Sequence, residues 1–363
     1  MIRILFFSVI VFNSAYSQTI TINGWVKQTG SDEVLPFASI AIKGTNKGTF
    51  SNSNGFYSLQ VPANQDWILV CSMVGHTPSE MKVNSTQDHV INFYLPVLEL
   101  DEVIVKGNAT YANRFAKNNI SLHLVKKMPA LLGEKDLIKS LQMLPGVQAG
   151  IEGSTGINVR GGTAGQNLIL LDGTTVYNIN HLFGFFSVFN ADAIKHVNFW
   201  KSRMPARYGG RVSSFIDIQL LDGNKQKLKA AGGIGLLSSR FTLDGPLKKG
   251  KSSFLLSARR SYLDLFLSPF MADESKTLYQ LTDLVAKANI DIDQKNNLTL
   301  SAFHASDKVR VTEKIERSNA HSISDSELGW KNATVAVQWN HVFNKKLCLN
   351  TVFSFSDYKI PFI

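Results

Sequence analysis

The sequence predicts a mainly β protein in which an N-terminal β-sandwich and an α+β domain precede an incomplete antiparallel transmembrane β-barrel. Short apolar runs separated by polar turns recur between residues 19 and 95, a spacing typical of a β-sandwich. A helical stripe and Gly-containing turns follow in residues 124–223. Beyond residue 224, long strands alternate apolar with polar side chains, and their connections are alternately short and long. Outer-membrane barrels require that alternation of turns and loops.

Residues 1–17 predict a secretory signal peptide. Arg3 precedes an apolar run over residues 4–12, and the small residues Ala15 and Ser17 stand just before the predicted cut at Gln18. That run is too short to span a membrane as a helix, and no run of about eighteen apolar residues follows it. We expect a mature chain without a lipid anchor, because Gln18 stands where a lipoprotein has Cys.

The net charge of +10 is distributed along the 363 residues. Its densest runs are residues 225–229 and 248–251. A nucleic-acid-binding protein needs a basic face, often with interleaved aromatic side chains, and a secreted chain meets little DNA. We expect no nucleic-acid partner, and interpret the basic runs as turns that face an anionic membrane surface. Cys71 and Cys348 fall in different predicted domains, so no disulfide between them is expected.

Catalytic motifs are not found. The eight histidines are scattered, and none begins the H-E-x-x-H pattern of zinc peptidases. The sequence also lacks the G-x-S-x-G elbow of hydrolases and the P-loop of nucleotide-binding enzymes. We therefore expect no enzymatic activity, no metal site and no cofactor.

Residues 18–98 form the predicted sandwich. Five short motifs mark its strands and turns: Gly24-Trp25-Val26, Leu35-Pro36-Phe37-Ala38, Lys43-Gly44-Thr45, Lys47-Gly48-Thr49 and Asn54-Gly55-Phe56-Tyr57. This set resembles the carboxypeptidase-regulatory-like domain, a transthyretin-like β-sandwich. That family often has Asp before the Gly-Phe turn, where this chain has Asn52 and Asn54. The missing carboxylates argue against a cation site, and we interpret the two residues as an Asx turn.

Residues 124–223 form the predicted α+β domain. The apolar positions of residues 137–144 are spaced as one face of a helix, which ends at Pro145-Gly146. The apolar run 168–171 ends at Asp172-Gly173. Because Asp-Gly between apolar runs is a strong hairpin signal, we expect a buried strand, a tight turn and a returning strand at Val176-Tyr177.

Three further motifs follow one another in this domain: Asn158-Val159-Arg160-Gly161-Gly162, Leu171-Asp172-Gly173 and Arg207-Tyr208-Gly209-Gly210-Arg211. Together, and in this order, they resemble the plug domain of TonB-dependent outer-membrane receptors. The resemblance implies a domain that blocks the pore of a barrel. We expect Arg160, Arg207 and Arg211 to bind acidic groups of the barrel lumen, because the guanidinium fork suits carboxylates. The alternative is that all three are solvated turn charges.

Residues 99–123 join the sandwich to the plug. They include Leu100-Asp101-Glu102-Val103-Ile104-Val105, a short β-branched run preceded by acidic residues. The resemblance implies a TonB-box-like segment, which would add as a strand to the sheet edge of a TonB-like energy-transducing protein. The polar residues 108–119 would keep that segment available. The alternative is that residues 103–105 form the last strand of the sandwich.

An aromatic-rich run lies between residues 177 and 190. We predict that part of this run faces the ligand, with Tyr177, His181 and Phe183 as the candidate residues. Polar tips beside aromatic surface suit sugars or chelates. The alternative is that the run packs in the plug core and against the barrel wall.

Residues 224–363 form the predicted barrel strands. Six strands are expected, near residues 228–243, 252–264, 281–292, 297–309, 331–343 and 346–358. A barrel that encloses a folded plug needs about twenty-two strands, and an open edge in hydrocarbon leaves unpaired backbone groups at several kilocalories per mole each. We therefore expect a fragment or a truncated gene product.

The resemblance implies a receptor in the outer membrane of a Gram-negative cell, in contact with its lipid and with the N-terminal domains in the periplasm. It implies uptake of a scarce ligand, such as a siderophore, vitamin, oligosaccharide (glycan) or peptide, with energy from a TonB-like partner. The alternative is a secreted module of sandwich and plug that binds or signals without transport.

Overall fold

The computed structural model describes residues 19–63, 65–84, 89–98, 117–120, 135–150, 155–181, 184, 186–201, 204, 206, 208–235, 237–262, 275–317, 320–344 and 347–360. The predicted signal peptide, the TonB-box-like segment, Phe183 and Arg207 lie outside these residues. The described part is mainly β and contains a sandwich, an α+β unit and a long-stranded sheet in that order. This is the fold class that the sequence predicts.

Two small sheets form the sandwich. Its strands are β1 (Thr19–Gln28), β2 (Ser39–Ile42), β3 (Gly48–Phe50), β4 (Phe56–Pro62), β5 (Asp66–Ser72), β6 (Ser79–Asn84), β7 (His89–Val90) and β8 (Phe93–Leu95). One sheet has β1 between β4 and β7, with β8 also on β1, and the other has the order β3-β2-β5-β6. Apolar side chains of both sheets meet in a closed core, in which Ile22, Ile40, Tyr57, Leu69 and Phe93 are fully buried.

The α+β unit is built on a five-stranded sheet with the order β13-β12-β15-β14-β9. Its elements are β9 (Lys117–Ile120), α1 (Leu137–Gln142), the paired strands β10 (Val147–Ala149) and β11 (Ile157–Val159), β12 (Asn167–Leu171), β13 (Thr174–Thr175), β14 (Ile194–Trp200) and β15 (Ser214–Leu220). The predicted helix is confirmed as α1. Asp136 caps it by accepting a hydrogen bond from the Lys139 amide at 3.1 Å, which satisfies one free donor of the first turn.

The Asp172-Gly173 turn is confirmed as the hairpin between β12 and β13. The position of the returning strand is wrong, because pairing with β12 begins directly after the turn, at Thr174–Thr175, and not at Val176-Tyr177. Asp172 has a φ of 46° and Gly173 a φ of 80°. Two successive positive φ angles define the tight turn whose twist matches paired strands. The turn therefore places the Asp172 carboxylate just beyond the end of the buried strand β12.

The third unit is an antiparallel sheet in which each strand pairs with the next along the chain. We call it the barrel sheet. It comprises β16 (Lys229–Ile234), β17 (Ser238–Lys248), β18 (Ser252–Ser261), β19 (Ser275–Asp291), β20 (Asn296–Arg317), β21 (Ala320–Asn344) and β22 (Leu347–Lys359).

Two details of the strand prediction are wrong. The predicted strand 228–243 is two strands, β16 and β17, and between them the Gly235 amide donates to the Ser238 carbonyl at 2.9 Å. The predicted loop of about twenty residues between strands is also absent. Instead β20 and β21 extend and stay paired as far as Arg317 and Ala320. The polar composition there suggests a loop, but paired strands are joined through their backbones and do not require an apolar face.

The barrel sheet has two chemically different faces, as the alternation predicts. Large apolar side chains such as Leu284, Val335 and Trp339 are exposed on one face. Polar side chains such as Lys287 and Asn289 are buried on the other. In the part of the chain that the structure describes, no helix is long and apolar enough to cross a membrane.

The α+β unit packs on the polar, inward face of the barrel sheet. One core cluster contains residues of α1 and β12 to β15 together with Leu255, Val285, Phe303 and Ala305 of the sheet. The rings of Phe189 and Phe303 stack with centroids 6.4 Å apart. The inward face is therefore apolar only where the α+β unit supplies an apolar partner.

Candidate functional site at the interface of plug and barrel

Lys287 lies on the inward face of β19 and contacts two carboxylates. One belongs to Asp172 in the α+β unit, and the other to Asp222 just after the last strand of that unit. Its Nζ is 2.8 Å from Asp222 Oδ1 and 3.1 Å from Asp172 Oδ2, and it donates to the Leu220 carbonyl at 3.0 Å. All three charged side chains are buried. One lysine of the barrel sheet thus balances charge that the Leu171-Asp172-Gly173 motif brings to the interface.

A second lysine extends this group to the sandwich. Lys195 Nζ is 2.6 Å from Asp222 Oδ2 and 3.3 Å from Glu33 Oε1, and it also donates to the Val34 carbonyl. The Asp222 amide donates to Glu33 Oε1 at 2.9 Å. Charges of opposite sign therefore alternate from the sandwich through the α+β unit to the barrel sheet. We call these five residues the Lys287 cluster: Glu33, Asp172, Lys195, Asp222 and Lys287.

The two aspartates of the Lys287 cluster differ in their affinity for protons. Burial disfavours the charged form of both. For Asp172, burial outweighs the attraction of Lys287 and raises the pKa of the carboxyl group. For Asp222, Lys195 and Lys287 together overcome burial and lower the pKa. Asp222 is therefore the ionised centre of the cluster, and Asp172 is the member that accepts a proton more readily.

A second buried group surrounds His181. His181 Nδ1 is 2.9 Å from Asp307 Oδ1, and Nε2 is 3.0 Å from Asp283 Oδ2. Arg259 Nη2 is 2.6 Å from the same Asp283 oxygen and donates to the Ser187 carbonyl at 2.5 Å. The side chains of the ion pairs are at most 2% exposed. We call the group the His181 cluster: His181, Arg259, Asp283 and Asp307.

The surroundings of His181 favour the imidazolium form. Burial alone would disfavour that charge, but the carboxylates of Asp283 and Asp307 outweigh it and raise the pKa of His181 to about 9. Both ring nitrogens then donate to carboxylates on neighbouring barrel strands. Of the four cluster residues, His181 alone comes from the α+β unit. It therefore provides the positive charge of that unit that faces the carboxylates of the barrel sheet.

Neutral side chains of the last two barrel strands complete the contact. Gln338 donates to the Asp172 carbonyl at 2.6 Å, Asn332 to the Asn178 carbonyl at 2.7 Å and Ser356 to the Thr175 carbonyl at 2.7 Å. Buried backbone carbonyls need such donors. The loop after β12 is therefore bound to the sheet through its backbone as well as through charge.

The two described arginines of the plug motifs, Arg160 and Arg211, do not belong to either buried cluster. Arg160 and Arg211 are exposed, Arg160 at a positive φ of 49°, and Arg211 donates to the neighbouring Gly210 carbonyl at 3.1 Å. Their pairing with lumen acids stays a prediction.

The other motif positions have clear steric roles. Gly162 has no room for a side chain, because a Cβ there would lie 2.3 Å from Ser213 Oγ. Gly161, Gly173 and Gly210 have positive φ angles, and Tyr208 packs on Phe215 with ring centroids 4.1 Å apart.

The candidate ligand-facing residues differ in exposure. Tyr177 is 58% exposed and lines a cavity of about 180 Å³ together with Asn178, Asn180 and Arg211. His181 is 1% exposed and has both ring nitrogens bound to carboxylates. The structure thus places only Tyr177 of this described pair at an accessible surface. Within the described ranges, no group of three or more His, Cys, Asp or Glu side chains is arranged for a metal ion.

Sequence reasoning missed the barrel residues of both clusters. Arg259, Asp283, Lys287 and Asp307 occupy inward positions of strands β18 to β20. A signal for them exists, since a charged residue on the lumen side of a strand with an apolar opposite face must find a partner there. The identity of that partner needs the three-dimensional fold.

Two family models match the chain. The CarboxypepD_reg-like domain matches residues 22–105, and the TonB-dependent Receptor Plug Domain matches residues 125–214. Together with an α+β unit packed on a long-stranded sheet, these matches are those of a regulatory-like sandwich followed by a plug domain. The chain is similar to the N-terminal part of TonB-dependent receptors, and we use the name plug for its α+β unit from here on.

Curated relatives are also TonB-dependent receptors. The chain is 28% identical over 220 residues to the TonB-dependent receptor SusC of Bacteroides thetaiotaomicron, a match that covers 56% of this chain and 21% of SusC. It is 28% identical over 171 residues to the TonB-dependent receptor P3 of Formosa agariphila, covering 43% of this chain and 17% of P3. The chain therefore spans about one fifth of the length of these relatives. Among solved structures, the outer membrane transporter YddB of Escherichia coli matches with a TM-score of 0.48 and 14% identity, covering 66% of this chain and 38% of YddB.

Proposed function

We propose that the chain is the periplasmic, plug and first barrel part of a receptor that imports a scarce ligand with energy from a TonB-like partner. The ligand class is a siderophore, a vitamin, an oligosaccharide or a peptide. The observation that carries the proposal is the pair of buried charged clusters between plug and barrel sheet. We place the receptor in the outer membrane and its sandwich in the periplasm.

The chemistry of the interface favours transport over a non-transporting module. An interface of ion pairs and amides is specific while it is dry, but water replaces each partner when the surfaces separate. An apolar interface of equal area would resist that separation by the hydrophobic effect. The two clusters thus suit a plug that must block a pore and also move.

The partner contact is assigned to Leu100, Asp101, Glu102, Val103, Ile104 and Val105, which lie outside the described residues. They follow the sandwich, whose last described strand ends at Leu95, and precede the plug. A partner that pulls on this segment applies force between those two units. The Lys287 cluster joins the same two units through Glu33 and Lys195.

A pair of variants tests the energised-receptor proposal. Ile104→Pro removes a backbone donor from the added strand, whereas Ile104→Val keeps the β-branched shape and every backbone group. The periplasmic domain of the TonB-like protein should be captured by the intact receptor and by Ile104→Val, and lost with Ile104→Pro. Equal capture of the two variants would argue for the alternative that residues 103–105 end the sandwich.

A further inference from the structure

One end of the barrel sheet carries an unusual concentration of lysine. The short connections 249–251 and 292–295 lie at this end, together with the start of β16. Six lysines there are exposed, and they form what we call the basic rim: Lys227, Lys229, Lys248, Lys249, Lys251 and Lys295. Within the residues that the structure describes, none of them forms an ion pair with a carboxylate. In outer-membrane barrels the short turns face the periplasm.

The basic rim borders the apolar outer face of the sheet. Large apolar side chains at the same end are 49–65% exposed: Leu228, Leu247, Ile292, Phe343 and Leu347. Trp339 lies on the same outer face and donates its indole N–H to Asn296 at 3.1 Å. Apolar surface that ends in aromatic and lysine side chains is typical of the boundary between hydrocarbon and headgroups.

Among the described residues at this end, the acidic groups Asp244, Asp291 and Asp293 only partly offset the charge of the six rim lysines. Asp291 is paired with Lys225, which is not a rim residue, at 2.5 Å. Asp293 accepts hydrogen bonds from the Lys295 and Asn296 amides at 2.7 and 2.8 Å, within its own turn. Asp244 accepts from the Asn224 amide at 2.9 Å. In the described part of the chain the rim lysines therefore carry excess positive charge outside any ion pair, directly beside exposed apolar surface.

We propose that the basic rim binds the phosphate groups of anionic phospholipids in the periplasmic leaflet of the outer membrane. The ammonium groups neutralise the headgroup charge, while the adjacent apolar band contacts the acyl chains of the same lipids. The site selects anionic glycerophospholipids over zwitterionic ones, because only the former bring net negative charge to the lysines. This lipid contact is separate from ligand uptake and from the plug interface.

The test compares lipid retention by the intact receptor and two matched variants. The receptor is reconstituted in nanodiscs of phosphatidylglycerol and phosphatidylcholine in equal parts with identical acyl chains, and retained lipids are counted by native mass spectrometry. Lys248→Gln with Lys249→Gln removes two rim charges. Lys47→Gln with Lys82→Gln removes two exposed lysines of the sandwich and serves as the control.

The unmodified receptor and the sandwich variant should retain phosphatidylglycerol preferentially. In the rim variant the ratio of retained phosphatidylglycerol to phosphatidylcholine should fall about fivefold for each lysine removed. This factor corresponds to about 1 kcal/mol for each basic residue near an anionic surface. Equal preference in the rim variant and the unmodified receptor would overturn the proposal. So would abolition of the preference by excess inorganic phosphate, because the site would then bind free phosphate rather than lipid.

Discussion

The His181 cluster and the Lys287 cluster attach the same plug to the same barrel strand, but by different chemistry. Asp283 of one and Lys287 of the other are four positions apart on β19, a separation of about 13 Å. In the His181 cluster the barrel supplies both carboxylates and the plug supplies a titratable cation. In the Lys287 cluster the barrel supplies one cation, Lys287, and the carboxylates come from the plug and the sandwich.

The difference shows how one interface can respond both to a change in protonation and to a force on the sandwich. The His181 cluster joins only plug and barrel, and its charge depends on a proton. The Lys287 cluster also includes Glu33 of the sandwich, so a force on the sandwich reaches it directly. Each cluster can therefore be weakened without direct change to the other, which the following variants test in the intact receptor.

The largest effect is expected for Asp283→Asn. This change removes the Asp283 carboxylate from Arg259 and leaves His181 with one acid instead of two. Removal of one partner from a buried ion group costs about 3–5 kcal/mol, so the plug should become protease-sensitive at much lower denaturant concentration. Glu327→Gln is the control, because its pair with Arg310 at 3.0 Å is partly exposed and contributes about 1 kcal/mol or less. Equal shifts for both variants would show that the His181 cluster does not stabilise the plug.

Lys287→Met should cost less, about 2 kcal/mol. Asp222 keeps Lys195 as a partner at 2.6 Å, and Asp172, whose pKa is raised by burial, can take up a proton to become neutral. Adding Asp172→Asn to Lys287→Met should restore part of the loss, because Asp222 keeps Lys195 and the carboxylate that had lost its lysine is then removed. The same denaturation and proteolysis measurement applies. Two losses that simply add would mean that the two residues do not interact.

The third prediction uses pH to distinguish the clusters. Because the pKa of His181 is raised to about 9 from an unfolded value near 6.5, its contribution is complete below about pH 6.5 and is lost as pH rises through about 9. The groups that face His181 are Asp283, Asp307 and Arg259, with Tyr279 donating to Asp307 at 3.3 Å. Raising pH from 7 to 10 should weaken plug attachment by about 2 kcal/mol.

His181→Gln removes the titrating group and should flatten this pH profile. Lys287→Met should leave the slope between pH 7 and 10 in place, since His181 is intact in that variant. The profile is measured as the denaturant midpoint of plug proteolysis at each pH. An unchanged slope in His181→Gln would assign the pH response to another group.

Local patterns predicted the units of the fold because each depends on nearby residues. The Asp172-Gly173 hairpin, the α1 stripe and the sandwich motifs are all determined within a few positions. The division of residues 228–243 into two strands was missed because apolar residues continue in the sequence from one strand to the next. The extension of β20 and β21 was missed because paired strands do not require an apolar face.

The site was harder to predict than the fold. Motif reasoning singled out Asp172 and His181, but it assigned Asp172 only to a turn and His181 to a ligand-facing surface. The partners of both, Lys287, Asp283 and Asp307, are distant in sequence. A charged residue at an inward position of a strand indicates that an oppositely charged or polar group lies nearby. Which residue provides that group depends on the strand register and on the orientation of the plug.

The smallest effect is expected where the Lys287 cluster meets the sandwich. Glu33→Gln keeps an acceptor for the Asp222 amide but removes the charge that faces Lys195. Because Lys195 retains Asp222, the loss should be about 1 kcal/mol, which corresponds to about fivefold faster hydrogen exchange at the Asp222 and Lys225 amides, both bonded to the sandwich. The Ser187 amide, bonded to Asp136 at 2.6 Å beside the His181 cluster, should be unaffected. Glu80→Gln, which breaks an exposed pair inside the sandwich, is the control. Faster exchange at all three amides would mean that the sandwich stabilises the whole plug rather than one of its two attachments.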